Sequence, residues 1–265
     1  MGTVEGGAAR AIGPVRARNE DTYRLVDPAA PRVRTCGYLA LLADGMGGHG
    51  RGEVASDAAS DGLFARFYAE PPAAAADLPA LLRAGIRDAE AAVRAATGAD
   101  DARAPGTTLV AAAIRDDLLF VANVGDSRAY LARDGAAFQL TRDHSLVAAQ
   151  VAAGLLTPAE AEASGRRNLL TQALGPAGPS EADVFVLALQ PEDRVILCSD
   201  GVHGRLAPAD FAALATGAPQ AASQALIDLA LARGATDNVS AVVLRYRAGD
   251  GTPVAPPVAP GTTPS

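Results

Sequence analysis

Leu39-Ala-Leu-Leu-Ala-Asp44-Gly-Met-Gly-Gly-His-Gly-Arg-Gly-Glu53 carries an apolar run into a single carboxylate and then breaks into five glycines within eight residues. Leu39 to Ala43 suits a buried strand, and the glycines let the chain turn sharply and present its own carbonyls and amides. An acid placed there stands at a strand end and points at something. Gly45, Gly47 and Gly50 also satisfy the dinucleotide fingerprint G-x-G-x-x-G. Three features oppose that reading: Asp44 would repel a pyrophosphate, the strands downstream read as hairpins, and no βαβ series follows. A phosphate loop of the Walker type needs a lysine, and all 23 basic residues here are arginine. Two readings of the stretch remain. One is a metal-binding pair, with a side-chain oxygen from Asp44 and a backbone oxygen from Gly45; the other is a capped tight turn, which suffices for this stretch taken alone.

Outward from the glycine turn, Glu53 to Ala69 reads as a helix with Val54, Ala58, Leu63, Phe64 and Phe67 on its apolar face, and Leu78 to Ala96 as a second. Before it, Gly2 to Ala9 reads as frayed chain, Thr22 to Val26 as a short strand, and the segment through Pro28 and Pro31 as a loop. From Thr107 the period becomes that of a sheet: Thr108 to Ile114, Leu118 to Val124, Arg128 to Arg133 and Ala136 to Leu140, separated by turn residues, predict an antiparallel meander. Leu146 to Ala153 is helical, and Thr157-Pro-Ala-Glu160 is a capping box opening another short helix, so Ser145 to Asn168 forms a small helical insertion among strands. Strands follow at Asp183 to Leu189 and Arg194 to Ser199, helices near Pro208 to Ala215 and Gln220 to Arg233, and a last strand at Val239 to Tyr246. Residues 248–265 are rich in Pro, Gly and Thr without periodicity, which predicts a disordered tail. Strands interrupted by helical pairs in this order predict an α+β fold: two antiparallel β-sheets face to face, flanked by helices, with a small helical flap.

With 265 residues, 49% of them hydrophobic, the chain can bury the core of one large domain. A net charge of −7 argues against nucleic-acid or anionic-membrane partners, both of which ask for a basic face. Cys36 and Cys198 are too few for a disulfide framework, so reduced buried thiols in a cytoplasmic protein are expected. No run reaches the roughly 18 apolar residues of a membrane helix, and no apolar leader opens the chain.

Asp44, Asp126, Asp200 and Asp237 share one context, each at a strand boundary and beside Gly or Asn. Any one of them is explained by turn formation. Together they form an oxygen-rich set with no adjacent Cys or His, the kind that magnesium or manganese prefers.

Arg16-Ala-Arg-Asn-Glu20-Asp21, Ala43-Asp44-Gly45-Met-Gly-Gly, Gly106-Thr-Thr, Val124-Gly-Asp126-Ser-Arg128, Thr141-Arg-Asp-His-Ser145, Asn168-Leu-Leu-Thr-Gln-Ala-Leu-Gly175, Cys198-Ser-Asp200-Gly201 and Thr236-Asp237-Asn238 occur in that order. In this series the chain resembles the metal-dependent type 2C (PPM) Ser/Thr protein phosphatases in their compact bacterial form, from Gly13 to about Arg247. The resemblance implies a phosphatase domain over 1–247, with a flap at about 145–168, and hydrolysis of phosphoserine and phosphothreonine on proteins by a metal-activated water. It implies two catalytic Mg2+ or Mn2+ ions, bridged by Asp44, with the Gly45 carbonyl and waters held by Glu20 completing one site and Asp200 and Asp237 the other. Asp126, with Asp200, matches a third, weaker site. Arg16 matches the phosphate-gripping catalytic arginine, Asp21 the catalytic residue that orients water, and Asn238 a supporting residue. Arg18 competes with Arg16 for the phosphate, and spacing within the family favours Arg16. Met46 stands where some eukaryotic members carry a histidine, which leaves the general acid unassigned; His49 is a weak candidate, while His144 reads as structural and His203 as a loop residue. Expected partners are phosphorylated proteins, among them a Ser/Thr kinase, and the expected state is a monomer. Two rivals are a phosphatase dedicated to one regulatory protein and a catalytically silent scaffold of the same fold.

Overall fold

The computed structural model describes residues 2–47, 51–98, 105–175 and 180–249. Its strands are β1 (Thr3–Ala11), β2 (Asp21–Leu25), β3 (Tyr38–Met46), β4 (Gly106–Thr107), β5 (Leu109–Arg115), β6 (Leu118–Val124), β7 (Arg128–Arg133), β8 (Ala136–Gln139), β9 (Asp183–Ala188), β10 (Arg194–Cys198) and β11 (Val239–Arg247). Its helices are α1 (Pro31–Cys36), α2 (Gly52–Ala69), α3 (Leu78–Thr97), α4 (Leu146–Ala152), α5 (Pro158–Ala163), α6 (Asp200–His203), α7 (Pro208–Leu214) and α8 (Pro219–Ala232). One sheet runs β1-β11-β10-β7-β8; the other runs β2-β3-β5-β6-β9, with β4 joined to β3. Every pairing is antiparallel.

The two sheets stack between two helical layers, which explains why the central strands are apolar runs rather than alternations. Tyr38, Ala40 and Leu42 of β3 face the other sheet together with Val242 and Leu244 of β11. Leu39, Leu41 and Ala43 point the opposite way, onto Leu63 and Phe67 of α2 and Leu82 and Ile86 of α3. A strand covered on both faces has no wet side to mark with polar residues. On the far side, Ile196, Cys198, Ala241 and Val243 pack on Phe211 of α7 and Leu226 and Ile227 of α8.

The structure departs from the sequence reading in four places. Residues 3–11 are a full strand paired with β11 from Thr3↔Arg247 to Ala11↔Val239, not frayed chain; Gly6 and Gly7 mask its period. Both glycines are needed where Tyr38 and the start of α8 press on the strand. The expected meander is instead two hairpins, β5–β6 and β7–β8, in different sheets, because the chain crosses between sheets at Gly125-Asp126-Ser127. Residues 31–36 form a short helix opened by Pro31, where a loop was expected. In α2 the buried face is Ala55, Ser56, Ala59, Ser60, Leu63 and Phe67, and Val54 is exposed. Small residues there let the helix lie close on the sheet, so size rather than hydrophobicity marks its inner face. The capping box at α5 forms as expected, with Thr157 and Glu160 exchanging side-chain-to-backbone hydrogen bonds. Of the tail expected at 248–265, residues 250–265 lie outside the described residues, as does His49.

Candidate active site

Antiparallel order brings the acids together. Asp21 opens β2 directly opposite Asp44 near the end of β3, and Val124 at the end of β6 stands opposite Leu109 at the start of β5. In the other sheet, Cys198 at the end of β10 pairs with Ala241 near the start of β11 and with Arg128 at the start of β7. Asp44, Asp126, Asp200 and Asp237 therefore emerge at one end of the sandwich, two from each sheet.

They line a cavity of about 180 Å³ with Arg16, Glu20, Gly45, Met46, Gly47, Thr108, Asn168, Leu170 and Asn238. Asp237, just before β11, holds Arg16 at 2.6 Å, and that arginine is half exposed. Arg18 does not line the cavity. Asp21 lies behind it, 1% exposed, accepting a hydrogen bond from Ser199 Oγ at 3.0 Å while its Oδ1 has no partner.

Short hydrogen bonds fix each wall. Asn238 clasps the loop before β2: its Nδ2 donates to the carbonyls of Ile12 (2.8 Å) and Arg18 (2.9 Å), and its Oδ1 accepts from Glu20 N (2.8 Å). Glu20 is held again by Gly52 N at the start of α2, which donates to its Oε1, and by Ser56 Oγ, which donates to its carbonyl. Asp44 N donates to Thr108 Oγ1, while the Asp44 carbonyl accepts from Thr108 N and Thr107 Oγ1. Backbone contact is close enough that glycine is required at two points. A Cβ on Gly45 would overlap the Gly52 carbonyl and stand 2.6 Å from that of Glu20, and one on Gly201 would overlap the Asn238 carbonyl.

The electrostatics are those of crowded carboxylates. Burial first, then repulsion from Asp21, Asp200, Asp126 and Asp237, holds Asp44 well above the usual carboxylate range. Burial together with Asp200 and Asp143 pushes Asp126 up to about 7, and burial next to Asp237 raises Asp200. Burial also lifts Asp21 to about 6 against the hydrogen bond from Ser199. Arg16 is the single cation in the lining among the described residues. Among the described residues, no three His, Cys, Asp or Glu side chains stand close enough to cage an ion unaided. Such a spread set suits ions that keep several waters.

Two residue groups that the sequence reading did not place in a role complete the site. Thr107, Thr108 and Ser127 orient Asp44 through the Thr108–Ser127 contact of 2.7 Å, and Asn168 and Leu170 close the cavity from the segment after α5. The runs Gly106-Thr-Thr and Asn168 to Gly175 carried the signal, but no chemistry pointed to them. His203 is not a loop decoration. It sits in α6 with Nε2 donating to the Asp126 carbonyl at 3.0 Å, and burial drops its pKa to about 3, so the ring is neutral. His144 is structural, as expected: its Nδ1 accepts from Gly125 N, and its Nε2 lies 3.4 Å from Asp183.

Fold and site together define a hydrolase centre built on two stacked sheets with carboxylates at their shared end. The chain belongs to the Protein phosphatase 2C family, whose model matches residues 17–231. It is 37% identical over 193 residues to the serine/threonine phosphatase stp of Listeria monocytogenes, covering 72% of this chain and 74% of that one. It superimposes on the serine/threonine phosphatase of S. agalactiae with a TM-score of 0.83 at 33% identity, over 91% of this chain and 98% of the other. The catalytic domain of the serine/threonine protein phosphatase PstP, solved in complex with two manganese ions, gives a TM-score of 0.79 at 33% identity, over 94% of this chain and all of that one.

Proposed function

We propose that this chain hydrolyses phosphoserine and phosphothreonine on proteins, using Mg2+ or Mn2+. One observation carries the proposal: carboxylates from both sheets and a single half-exposed arginine converge on one cavity. The donor set fits such cations, since it is all oxygen and the mutual repulsion that raises its carboxylates is what a bound cation relieves. The relative solved with two manganese ions supports the same reading. Asp44, the Gly45 carbonyl and Glu20 would hold one ion; Asp44, Asp200 and Asp237 a second; Asp126 with Asp200 a third and weaker one. When bound, such ions lower the pKa of a water and neutralise charge on phosphoryl oxygens.

The chain's own residues do the rest. Arg16 binds the phosphate: its Nη2, now donating to Asp237 Oδ2, can leave that carboxylate for phosphoryl oxygens, which a planar guanidinium grips in pairs. Asp21 orients the attacking water, and its unpartnered Oδ1 supplies an acceptor buried behind Asp44. Asn238 keeps Arg16 and Glu20 in register through the loop it clasps. We assign the domain to 1–247, with the flap at about 145–168, and treat 248–265 as a tail outside it. Its substrates on this reading are phosphoproteins, a Ser/Thr kinase among them, and its state is monomeric. No helix among the described residues is long and apolar enough to cross a membrane, and both cysteines are buried free thiols, which fits a cytoplasmic protein.

Dialysis against chelator should abolish hydrolysis of a phosphothreonine peptide, and manganese should restore it. Full activity in chelator would overturn the metal-dependent reading. Comparing phosphoproteomes with and without the gene separates a broad phosphatase from one dedicated to a single regulatory protein.

A further inference from the structure

Three exposed arginines stand within two residues in the chain of residues that line this acidic cavity. Most described arginines elsewhere are engaged: Arg24, Arg128, Arg133, Arg233 and Arg245, for example, each hold a carboxylate. Arg18, Arg166 and Arg167 are exposed, and their side chains make no hydrogen bond or ion pair among the described residues. All three flank the lining directly. Arg18 lies between Arg16 and Glu20, and Arg166-Arg167 precedes Asn168 in the turn after α5. Each group also carries an exposed aliphatic side chain, Val15 (70% exposed) on one side and Leu169 (53%) on the other.

In a chain of net charge −7, leaving three guanidinium groups uncompensated beside one opening creates a positive rim around a negative cavity. A phosphoresidue entering that cavity brings its neighbours against the rim, not against the acids. We propose, building on the phosphatase reading above, that Arg18, Arg166 and Arg167 select phosphoprotein segments whose residues flanking the phosphate are acidic or carry a second phosphate. Val15 and Leu169 cover the aliphatic parts of that segment. These residues determine specificity and take no part in bond breaking.

The test measures kcat/KM for three phosphothreonine peptides that differ only in their flanks, Glu-rich, Ala-rich or carrying a second phosphothreonine, with p-nitrophenyl phosphate as a substrate without flanks. Exposed ion pairs are individually weak, so the wild type should prefer each acidic peptide over the neutral one by roughly 3- to 10-fold at low salt, mainly through KM, and lose the preference at high salt. R166Q/R167Q should reduce the preference to about 2-fold or less, and adding R18Q should remove it, with p-nitrophenyl phosphate turnover and melting temperature unchanged. R166K/R167K should keep most of it, because a point charge suffices. Equal kcat/KM across the peptides in the wild type, or a preference that survives in the triple variant, overturns the inference. Failure to hydrolyse any of these substrates with manganese present would overturn the phosphatase reading itself, which separates the two.

Discussion

Removing divalent cations and raising the pH should destabilise this protein, and the structure sets the direction and scale. Asp126 binds its proton up to about pH 7 in the folded chain, against an ordinary value of 3.8. Between those values the native state holds more protons than the unfolded chain, so stability falls as pH rises and the contribution is gone above the folded pKa. His203, held near 3, works in the opposite direction until the unfolded imidazole, half charged at about pH 6.5, has lost its proton by about pH 7.5. Across about pH 6.5 to 8, Asp126 alone loses about 0.8 kcal/mol while His203 returns about 0.4 kcal/mol, and Asp44 and Asp200, also raised, add to the loss. For a chain of this size the net is a fall in melting temperature of about 1 °C or more. Scanning calorimetry in chelator at several pH values measures it. Saturating manganese should raise the melting temperature most at the alkaline end, where cations have no protons to displace. Asp126→Asn should flatten the metal-free slope and raise the melting temperature at pH 8. A melting temperature that is flat or rises with pH in chelator would refute the claim that crowding holds protons on these acids.

Asp44→Asn should eliminate turnover and the tight manganese sites, whereas Asp126→Asn should keep the tight sites and lower turnover, as judged by calorimetric titration beside phosphopeptide kinetics. Arg16→Ala should raise KM for small and peptide substrates alike and lower kcat/KM at least tenfold, while Arg18→Ala should leave p-nitrophenyl phosphate kinetics almost untouched; the reverse pattern would move the phosphate to Arg18. Gly201→Ala drives a methyl into the Asn238 carbonyl and should cost about 1–3 kcal/mol, with loss of activity, because Asp200 and Asp237 can no longer approach; an active, equally stable variant would show that the contact yields freely. Leu226→Ala, buried under the sheet and outside the cavity lining, should cost about 3–5 kcal/mol by urea unfolding while leaving KM unchanged in the folded fraction.

Local chemistry was legible in the chain. The capping box Thr157 to Glu160, the turn at Asp134-Gly135 with both residues at positive φ, and the break after Asp44 each depend on a few neighbouring side chains. So did the residue types of the site, since an all-oxygen set at strand ends states its preference for hard cations wherever it folds. Pairing over long separations was not legible. β1 meets β11 more than 200 residues away, and the two hairpins divide between sheets at Gly125-Asp126-Ser127, because burial on both faces erases the alternation that would assign a strand to one sheet. The placing of Arg16 against Arg18 was not legible either. The two lie two residues apart in similar sequence, and only the clasp of Asn238 on the Ile12 and Arg18 carbonyls turns one toward Asp237 and leaves the other facing solvent. The sequence by itself determined the chemistry of the donors and the layered α+β fold. The tertiary structure alone decided which atoms meet, because antiparallel register carries Asp44, Asp126, Asp200 and Asp237 to one end through contacts that no local pattern encodes.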